Sequence, residues 1–322
     1  MGNIRKPRRG SMQFWPRKRS RHSIARIRTW VTENKVKPLA FIGYKAGMTH
    51  LLVLDNKPKS QTKGENIMVA STIVDCPPMT VAGICFYKKL LYGPKKVATV
   101  LAGKLAKELG KKMPLPKKAG KKAEEVVDFD DVRLLVHSNP KLTTLGTKKP
   151  KLMEIALGGS KEEKLAYAKE VLGKEIKVED VFEKGISLDV HGISKGKGFQ
   201  GTVKRFGVPI RQHKAEKTKR GIGNLGSWTP KRVQFQVPQS GKMGYHSRTE
   251  YNKQLLKVGL DGKEITPTGG KVNYGIVKNA YVLLRGSVVG PKKRAVVLTP
   301  SMRLNPKTTK EAPEIKYVSL TN

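Results

Sequence analysis

Residues 67–87 read IMVASTIVDCPPMTVAGICFY, and they indicate the fold class most clearly. Two runs rich in β-branched residues, 67–75 and 80–87, stand on either side of a proline pair. Each run has the length of a β-strand, and turn-forming residues bound it. This stretch therefore predicts two consecutive strands in a protein built mainly from sheet.

Short strands of the same kind recur along the chain, at 96–102, 132–138, 186–193, 232–237, 279–289 and 294–300. Many short strands at such spacing are typical of a β-barrel. A helix follows Ser160, which forms a capping box with Glu163, and a shorter helix is predicted over 178–185. We therefore expect a mainly β fold, in which residues 38–76 and 186–322 form a β-barrel and residues 77–185 form an α/β insertion.

The composition points to a polyanionic partner. The chain has 65 Lys and Arg residues against 25 Asp and Glu residues, a formal charge of +40. No stretch approaches the ~18 apolar residues of a membrane-spanning helix, and no basic amphipathic helix stands out, so nucleic acid is favoured over a membrane. The first thirty residues lack the apolar segment of a secretory signal, so we expect a cytoplasmic protein.

The positive charge is concentrated in two segments. Residues 1–28 contain ten Lys or Arg and no acid, and residues 195–232 contain eleven against one acid. Residues 122–190 are nearly neutral, with 14 acids and 12 bases. We predict a basic N-terminal extension over 1–37 and a second basic extension, inside the barrel sequence, over 195–245. Neither segment shows apolar periodicity, so residues 1–28 alone are expected to be disordered.

A glycine-rich stretch, GISKGKGFQG at 192–201, contains the letters of a dinucleotide-binding fingerprint. That fingerprint requires a helix after its last glycine and an acid about 20 residues later. The sequence after Gly201 indicates no helix, and the acid is missing, so we expect no cofactor. Glycines nevertheless let a backbone approach a phosphate closely, and the nearby lysines favour phosphate binding over the alternative, a solvated turn.

Two tryptophans lie among basic and turn-forming residues. Trp228 lies in GSWTPKR, and we predict an exposed ring that stacks on nucleobases; burial in the protein core is the alternative. Trp15, in QFWPRKR, has similar surroundings. For this residue, stacking on nucleobases and packing back onto the protein's own barrel are equally compatible with the sequence.

The sequence offers little for catalysis. No two of the six histidines have a metal-binding i, i+4 spacing, and no catalytic motif occurs. Cys76 and Cys85 have no zinc-type partners, and we expect both to be buried, reduced and structural. We predict no active site, no metal, no cofactor and no small-molecule substrate.

Six blocks of the sequence, in order, closely resemble one family, the universal ribosomal protein number three of the large subunit. The match covers most of the chain, and the chain length is similar to that of archaeal members. The blocks are PRRGSMQFWPRKRS, FIGYKAGMTH, IVDCPPMTVAGICFY, DVHGISKGKGFQGTVKRFG, GSWTPKRVQFQVPQSGKMGYHSRTEYNKQLLKVG and VLLRGSVVGPKKRAVVLTPSMR.

The resemblance implies a barrel of the type shared with translation factors, and a cytoplasmic protein of the large ribosomal subunit. It implies direct binding to the large ribosomal RNA (rRNA) near its 3′ end and a role in nucleating subunit assembly. The loop around Trp228 would be the family's tryptophan finger, which reaches toward the peptidyl-transferase centre. Large-subunit proteins number fourteen and archaeal-type number twenty-four would be neighbours.

The residues that we predict to bind RNA lie in or beside the two basic extensions. They are Arg5, Arg8, Arg9, Trp15, Arg17, Lys18, Arg19, Arg21, Lys195, Lys197, Lys204, Arg205, Arg211, Lys217, Lys219, Arg220, Trp228, Lys231, Arg232, Lys242, His246 and Arg248.

Two other function classes remain as alternatives. An RNA-modifying enzyme would need a cofactor site, which the glycine-rich stretch does not provide. A non-ribosomal nucleic-acid packaging protein would share the positive charge but would not need the ordered family blocks.

Overall fold

A computed structural model describes residues 10–116, 120, 122–214, 218–306, 308, 309 and 311–320, and these residues form a mainly β structure. Its elements, in chain order, are β1 (Phe41–Leu54), β2 (Asn66–Asp75), β3 (Met79–Leu90), β4 (Gly93–Leu101), β5 (Asp131–Ser138), β6 (Leu152–Ala156), α1 (Lys161–Val171), β7 (Glu175–Ile176), β8 (Ser187–Ile193), β9 (Gly196–Gln200), α2 (Thr202–Phe206), β10 (Gly241–Gly244), β11 (Ser247–Gly259), β12 (Tyr281–Arg285), β13 (Ala295–Pro300) and β14 (Ile315–Val318).

The chain divides into two compact units. One, which we call the basic unit, consists of Met1–His22 and Ile193–Ser247; the other, the sheet unit, consists of Ser23–Gly192 and Arg248–Asn322. The larger sheet and the five-stranded sheet involve residues of the sheet unit, and the two-stranded ribbon of β9 and β10 belongs to the basic unit.

The larger sheet has seven strands in the order β13-β8-β11-β12-β2-β1-β14, and β13 also pairs with β1. The first six strands therefore pair in a closed cycle. Strand β1 makes this possible because it is 14 residues long. Its first residues pair with β13, its last residues pair with β14, and most of its length pairs with β2.

The core of the sheet unit contains polar groups that are hydrogen-bonded to each other. Asp75 is fully buried and accepts hydrogen bonds from the Tyr274 hydroxyl at 2.6 Å and from the Asn279 amide at 3.2 Å. The Tyr44 and Ser138 hydroxyls lie 2.7 Å apart. Burial raises the pKa of Asp75, and it raises the pKa of Tyr44 to about 12. These bonds offset part of the cost of burying polar groups.

The second sheet is assembled from the chain between β2 and β8. Strands β4, β3, β5 and β6 follow one another in it, and β7 pairs with β3. Helix α1 begins at the predicted capping box, in which Ser160 and Glu163 bond to each other's backbone amides. Ala168 of α1 is fully buried, and Leu165 and Val171 pack against the core. The chain between β2 and β8 thus contains the strands of this sheet and one α-helix.

Two predicted elements are wrong. Residues 178–185 form bends and turns: the Val181 and Phe182 amides both donate to the Val178 carbonyl, which makes one helical turn, and the chain does not continue as a helix beyond it. Residues 232–237 also form turns and bends. Phe235 there is 70% exposed, and no strand of the described chain pairs with this segment, so its β-forming residues have no sheet to join.

Both cysteines are buried and free, as predicted. Burial raises the pKa of the Cys76 thiol and of the Cys85 thiol, which keeps both in the less reactive protonated form. Over the part of the chain that the structure describes, no helix has the length and apolar character needed to cross a bilayer.

Candidate nucleic-acid interface

The basic unit carries a positive charge that no acidic side chain of its described residues offsets. Residues 10–22 contain four Lys or Arg, and residues 193–214 and 218–247 contain eleven; neither part contains an Asp or a Glu. The ten ion pairs found among the described residues all lie in the sheet unit. Such a surface attracts polyanions.

Strands β9 and β10 form an antiparallel ribbon in which Lys242 pairs with Phe199 and Gly241 with Gln200. Helix α2 follows directly, with Gly201 as its N-cap, and ends at Gly207. The expectation that no helix follows Gly201 is therefore wrong. The helix has five residues only, because Gly207 adopts a left-handed conformation that ends it.

Arg205 of α2 organises the basic unit from within. Its guanidinium donates hydrogen bonds to three backbone carbonyls: Gln239 at 2.8 Å, Lys242 at 3.2 Å and Arg17 at 3.2 Å. Partial burial lowers its pKa. We predicted Arg205 to contact RNA; in this structure three of its guanidinium bonds go to the protein's own backbone and join three segments.

An aromatic cluster anchors residues 14–17 to the rest of the basic unit. The Trp15 ring lies 5.8 Å from the ring of Phe206, which is buried, and 5.8 Å from the ring of Phe235, which is exposed. The Arg17 guanidinium lies 4.4 Å from the centre of the Phe206 ring, a favourable cation–π distance. Trp15 therefore packs onto the protein itself, as the alternative interpretation had it, but its partners belong to the basic unit.

His246 is also an internal residue. It is 8% exposed, its Nδ1 donates to the Lys18 carbonyl at 2.9 Å, and its amide donates to Ser194 Oγ at 3.1 Å. The Ser20 amide donates to the Tyr245 carbonyl at 2.9 Å. Residues 18–20 thus run beside 245–246 with fixed contacts, and His246 positions them. The prediction that residues 1–28 lack structure of their own does not hold for this part.

The remaining predicted residues fall into three groups. Arg211 is half-buried and donates to the Ile222 carbonyl, and Arg248 lies in the sheet unit, in β11. Four predicted residues, Arg5, Arg8, Arg9 and Lys217, lie outside the described part of the chain. The predicted residues that are exposed cations of the basic unit are Lys18, Arg19, Arg21, Lys195, Lys197, Lys204, Lys219, Arg220, Lys231, Arg232 and Lys242.

The glycine-rich ribbon presents bare backbone. Gly198 has a φ of +67°, and no heavy atom lies within 4 Å of the positions that a Cβ would occupy at Gly198 or Gly201. A phosphate can therefore approach this backbone closely. Phe199 lies between them and is 71% exposed, a potential stacking surface that the sequence interpretation missed. The sequence feature that could have identified this surface is a large aromatic residue between glycines and lysines.

Trp228 is 82% exposed, which excludes the interpretation that it belongs to a core. The loop around it is held by local bonds: the Gly226 amide donates to Asn224 Oδ1 at 2.8 Å, and Ser227 Oγ donates to the Thr229 carbonyl at 2.7 Å. The Lys231 ammonium lies 5.7 Å from the centre of the ring. An exposed ring beside a cation suits a nucleobase and its phosphate.

No group of three or more His, Cys, Asp or Glu side chains is arranged to hold a metal ion among the residues that the structure describes. The arginine, lysine and aromatic side chains of the basic unit can neutralise phosphates, donate hydrogen bonds and stack on bases.

Comparisons with known proteins agree with this picture. The family model for "Ribosomal protein L3" matches residues 1–322. Similar proteins include "Large ribosomal subunit protein uL3" of Methanocaldococcus jannaschii, 46% identical over 99% of this chain and 98% of that protein. Those of Methanococcus aeolicus and Methanopyrus kandleri are 47% and 45% identical, over 98% and 99% of this chain and 96% and 92% of theirs. The chain belongs to the ribosomal protein L3 family, whose members are structural proteins and not enzymes.

Proposed function

We propose that this protein is a structural constituent of the large ribosomal subunit and that it binds rRNA through the basic unit. The observation that carries this proposal is a unit with exposed Lys and Arg side chains, no acid among its described residues and an exposed Trp228. Family membership supports the ribosomal assignment, since the relatives named above are large-subunit proteins.

The contacts within the basic unit assign different roles to its buried and its exposed residues. Arg205, Phe206 and His246 fix the backbone, so that the exposed cations are presented in defined positions. Each cation that neutralises an rRNA phosphate releases counterions, and each such contact adds about 0.7 to 0.9 to the slope of log affinity against log salt. Trp228 and Phe199 offer rings on which unpaired bases stack without sequence-specific hydrogen bonds.

The finer assignments rest on the family resemblance. The protein would bind near the 3′ end of the large rRNA, early enough to nucleate assembly. The loop around Trp228 would reach toward the peptidyl-transferase centre and position rRNA nucleotides there without taking part in chemistry. Large-subunit proteins number fourteen and archaeal-type number twenty-four would be its neighbours.

The domain plan is part of the same proposal. The closed cycle of six paired strands supports a β-barrel of the translation-factor type, formed by residues 38–76 and 186–322. Residues 77–185 would be the insertion, residues 195–245 the tryptophan finger and residues 1–37 the extension that enters the rRNA.

Two measurements test this function. The tagged protein should sediment with intact large subunits and stay bound in high salt, whereas a general packaging protein would be released. Purified protein should bind a transcript of archaeal large-subunit rRNA, and its log affinity should fall steeply and linearly with log salt. Failure to sediment with large subunits, or an affinity that does not change with salt, would contradict the proposal.

A further inference from the structure

The turn between β3 and β4, in the sheet unit, exposes two large side chains completely. Leu90 pairs with Gly93, so Leu91 and Tyr92 alone form the turn. Both are fully exposed, with relative exposures of 100% and 101%. Single exposed apolar residues are common, but two adjacent large ones at the tip of a hairpin mark a surface that another molecule covers.

Lysines flank this turn on both strands. Lys88 lies directly opposite Lys95, and Lys96 lies opposite Tyr87. Like charges directly opposite each other destabilise a strand pair, and an anion beside them offsets the repulsion. Lys88 is paired with Asp128 at 2.5 Å, and Lys96 is paired with Glu154. The two other lysines next to the turn, Lys89 and Lys95, are exposed and form no ion pair within the described residues.

The base of the hairpin is rigid. β3 pairs with β4 on one side and with β5 on the other as far as Tyr87, and the Phe86 ring lies 4.9 Å from the ring of Phe129. The Tyr87 ring lies 4.4 Å from the Arg133 guanidinium, and its hydroxyl donates to Glu154. A turn built on this base keeps its position before a partner binds, so little conformational entropy is lost on binding.

We propose that the β3–β4 turn is a second rRNA contact, in which Tyr92 stacks on an unpaired nucleobase and Lys89 and Lys95 bind the adjacent phosphates. An apolar pocket in a neighbouring protein would accept Leu91 and Tyr92 but would leave the two lysines without counter-charges. An RNA strand supplies a base that stacks on the Tyr92 ring and phosphates that neutralise both lysines. The inference rests on the proposed function, and it adds an rRNA contact in the sheet unit to those proposed for the basic unit.

The test measures affinity for a transcript of archaeal large-subunit rRNA with the full-length protein. Tyr92→Ala is expected to weaken binding about 5- to 150-fold, since one stacked base contributes roughly 1–3 kcal/mol. Tyr92→Phe keeps the ring and should bind like the wild type. The double variant Lys89→Gln, Lys95→Gln should lower the salt slope by about 1.4 to 1.8. Tyr317→Ala is the matched control, because Tyr317 is also exposed but adjoins a lysine that is already paired.

Because Tyr92 is fully exposed, none of these variants should change the thermal midpoint of the isolated protein. If Tyr92→Ala and the lysine variant bind the transcript like the wild type, the second contact is refuted while the proposed function stands. If those variants bind RNA normally but are lost from reconstituted subunits, a protein covers the turn and the rRNA assignment is wrong. If the wild type does not bind the transcript, it is the proposed function that fails.

Discussion

Replacing Arg205 tests whether the basic unit has structure of its own. Arg205→Met keeps the length of the side chain and removes hydrogen bonds to the carbonyls of Gln239, Lys242 and Arg17, at 2.8, 3.2 and 3.2 Å. Charge-assisted hydrogen bonds contribute more than neutral ones, but these carbonyls lie near the surface and regain water. We therefore assign about 1 kcal/mol to each bond, and about 2–3 kcal/mol to the local stability of the unit.

Amide hydrogen exchange reports this loss where it occurs. The Ser20 amide bonds to the Tyr245 carbonyl and reports on the attachment of residues 18–20, whereas the Tyr245 amide bonds to the Lys195 carbonyl and reports on the adjoining end of the β9–β10 ribbon. Their exchange should accelerate about 30- to 150-fold, because each 1.4 kcal/mol is a factor of ten. The Cys76 amide, which is bonded within the sheet unit, should not change.

The control is Lys204→Met, in the same helix. Lys204 is exposed, and its replacement should leave both reporter amides within about twofold of the wild type, since substitutions at such exposed sites change stability little. If Arg205→Met also leaves Ser20 and Tyr245 protected, the three bonds do not hold the unit together. Equally fast exchange of these amides in the wild type would show that the segment is disordered before RNA binds.

Four further variants test other parts of the structure. Lys45 and Lys271 are both buried. Lys45 Nζ donates hydrogen bonds to the carbonyls of Val288 and Gly290, whereas Lys271 Nζ has no hydrogen-bond partner among the described residues. Lys45→Met should therefore lower the urea midpoint of unfolding, and Lys271→Met should raise that midpoint or leave it unchanged. Burial raises the pKa of Asp75, so its protonated form stabilises the fold at low pH, and this contribution is lost as pH rises through the folded-state pKa. In urea titrations at increasing pH, the free energy of unfolding of the wild type should therefore fall relative to that of Asp75→Asn. A difference between the two proteins that does not change with pH would contradict this. Trp228→Ala should leave the thermal midpoint unchanged, since the ring is 82% exposed, and should weaken rRNA binding about 5- to 150-fold; a cavity-like loss of stability would refute its placement.

The sequence predicted best those strands whose side chains alone identify them. β2, β3, β5 and β13 are short and rich in β-branched residues, and the structure contains each of them. β1 was missed although it pairs with three strands. It contains Gly43, where a Cβ would lie 2.4 Å from the Val74 side chain, and a buried Lys45 whose acceptors are more than 240 residues away. These residues fit a strand only because of tertiary contacts.

The same limit applies to the candidate interface. Charge and turn composition predicted the two basic segments and the exposure of Trp228. They did not predict that Arg205 and His246 face inward, because their acceptors, the carbonyls of Arg17 and Lys18, lie 188 and 228 residues away. A cation in a basic segment looks the same in sequence whether it binds a phosphate or the protein's own backbone.

The most direct test of the proposed rRNA-binding role is site-specific crosslinking from position 228 in assembled large subunits. A photoreactive group that replaces the Trp228 side chain, which is exposed and belongs to the basic unit, should crosslink to large-subunit rRNA at a small number of nucleotides. Crosslinks to proteins alone, or none in subunits that contain the protein, would contradict the proposed role of the tryptophan loop in rRNA binding.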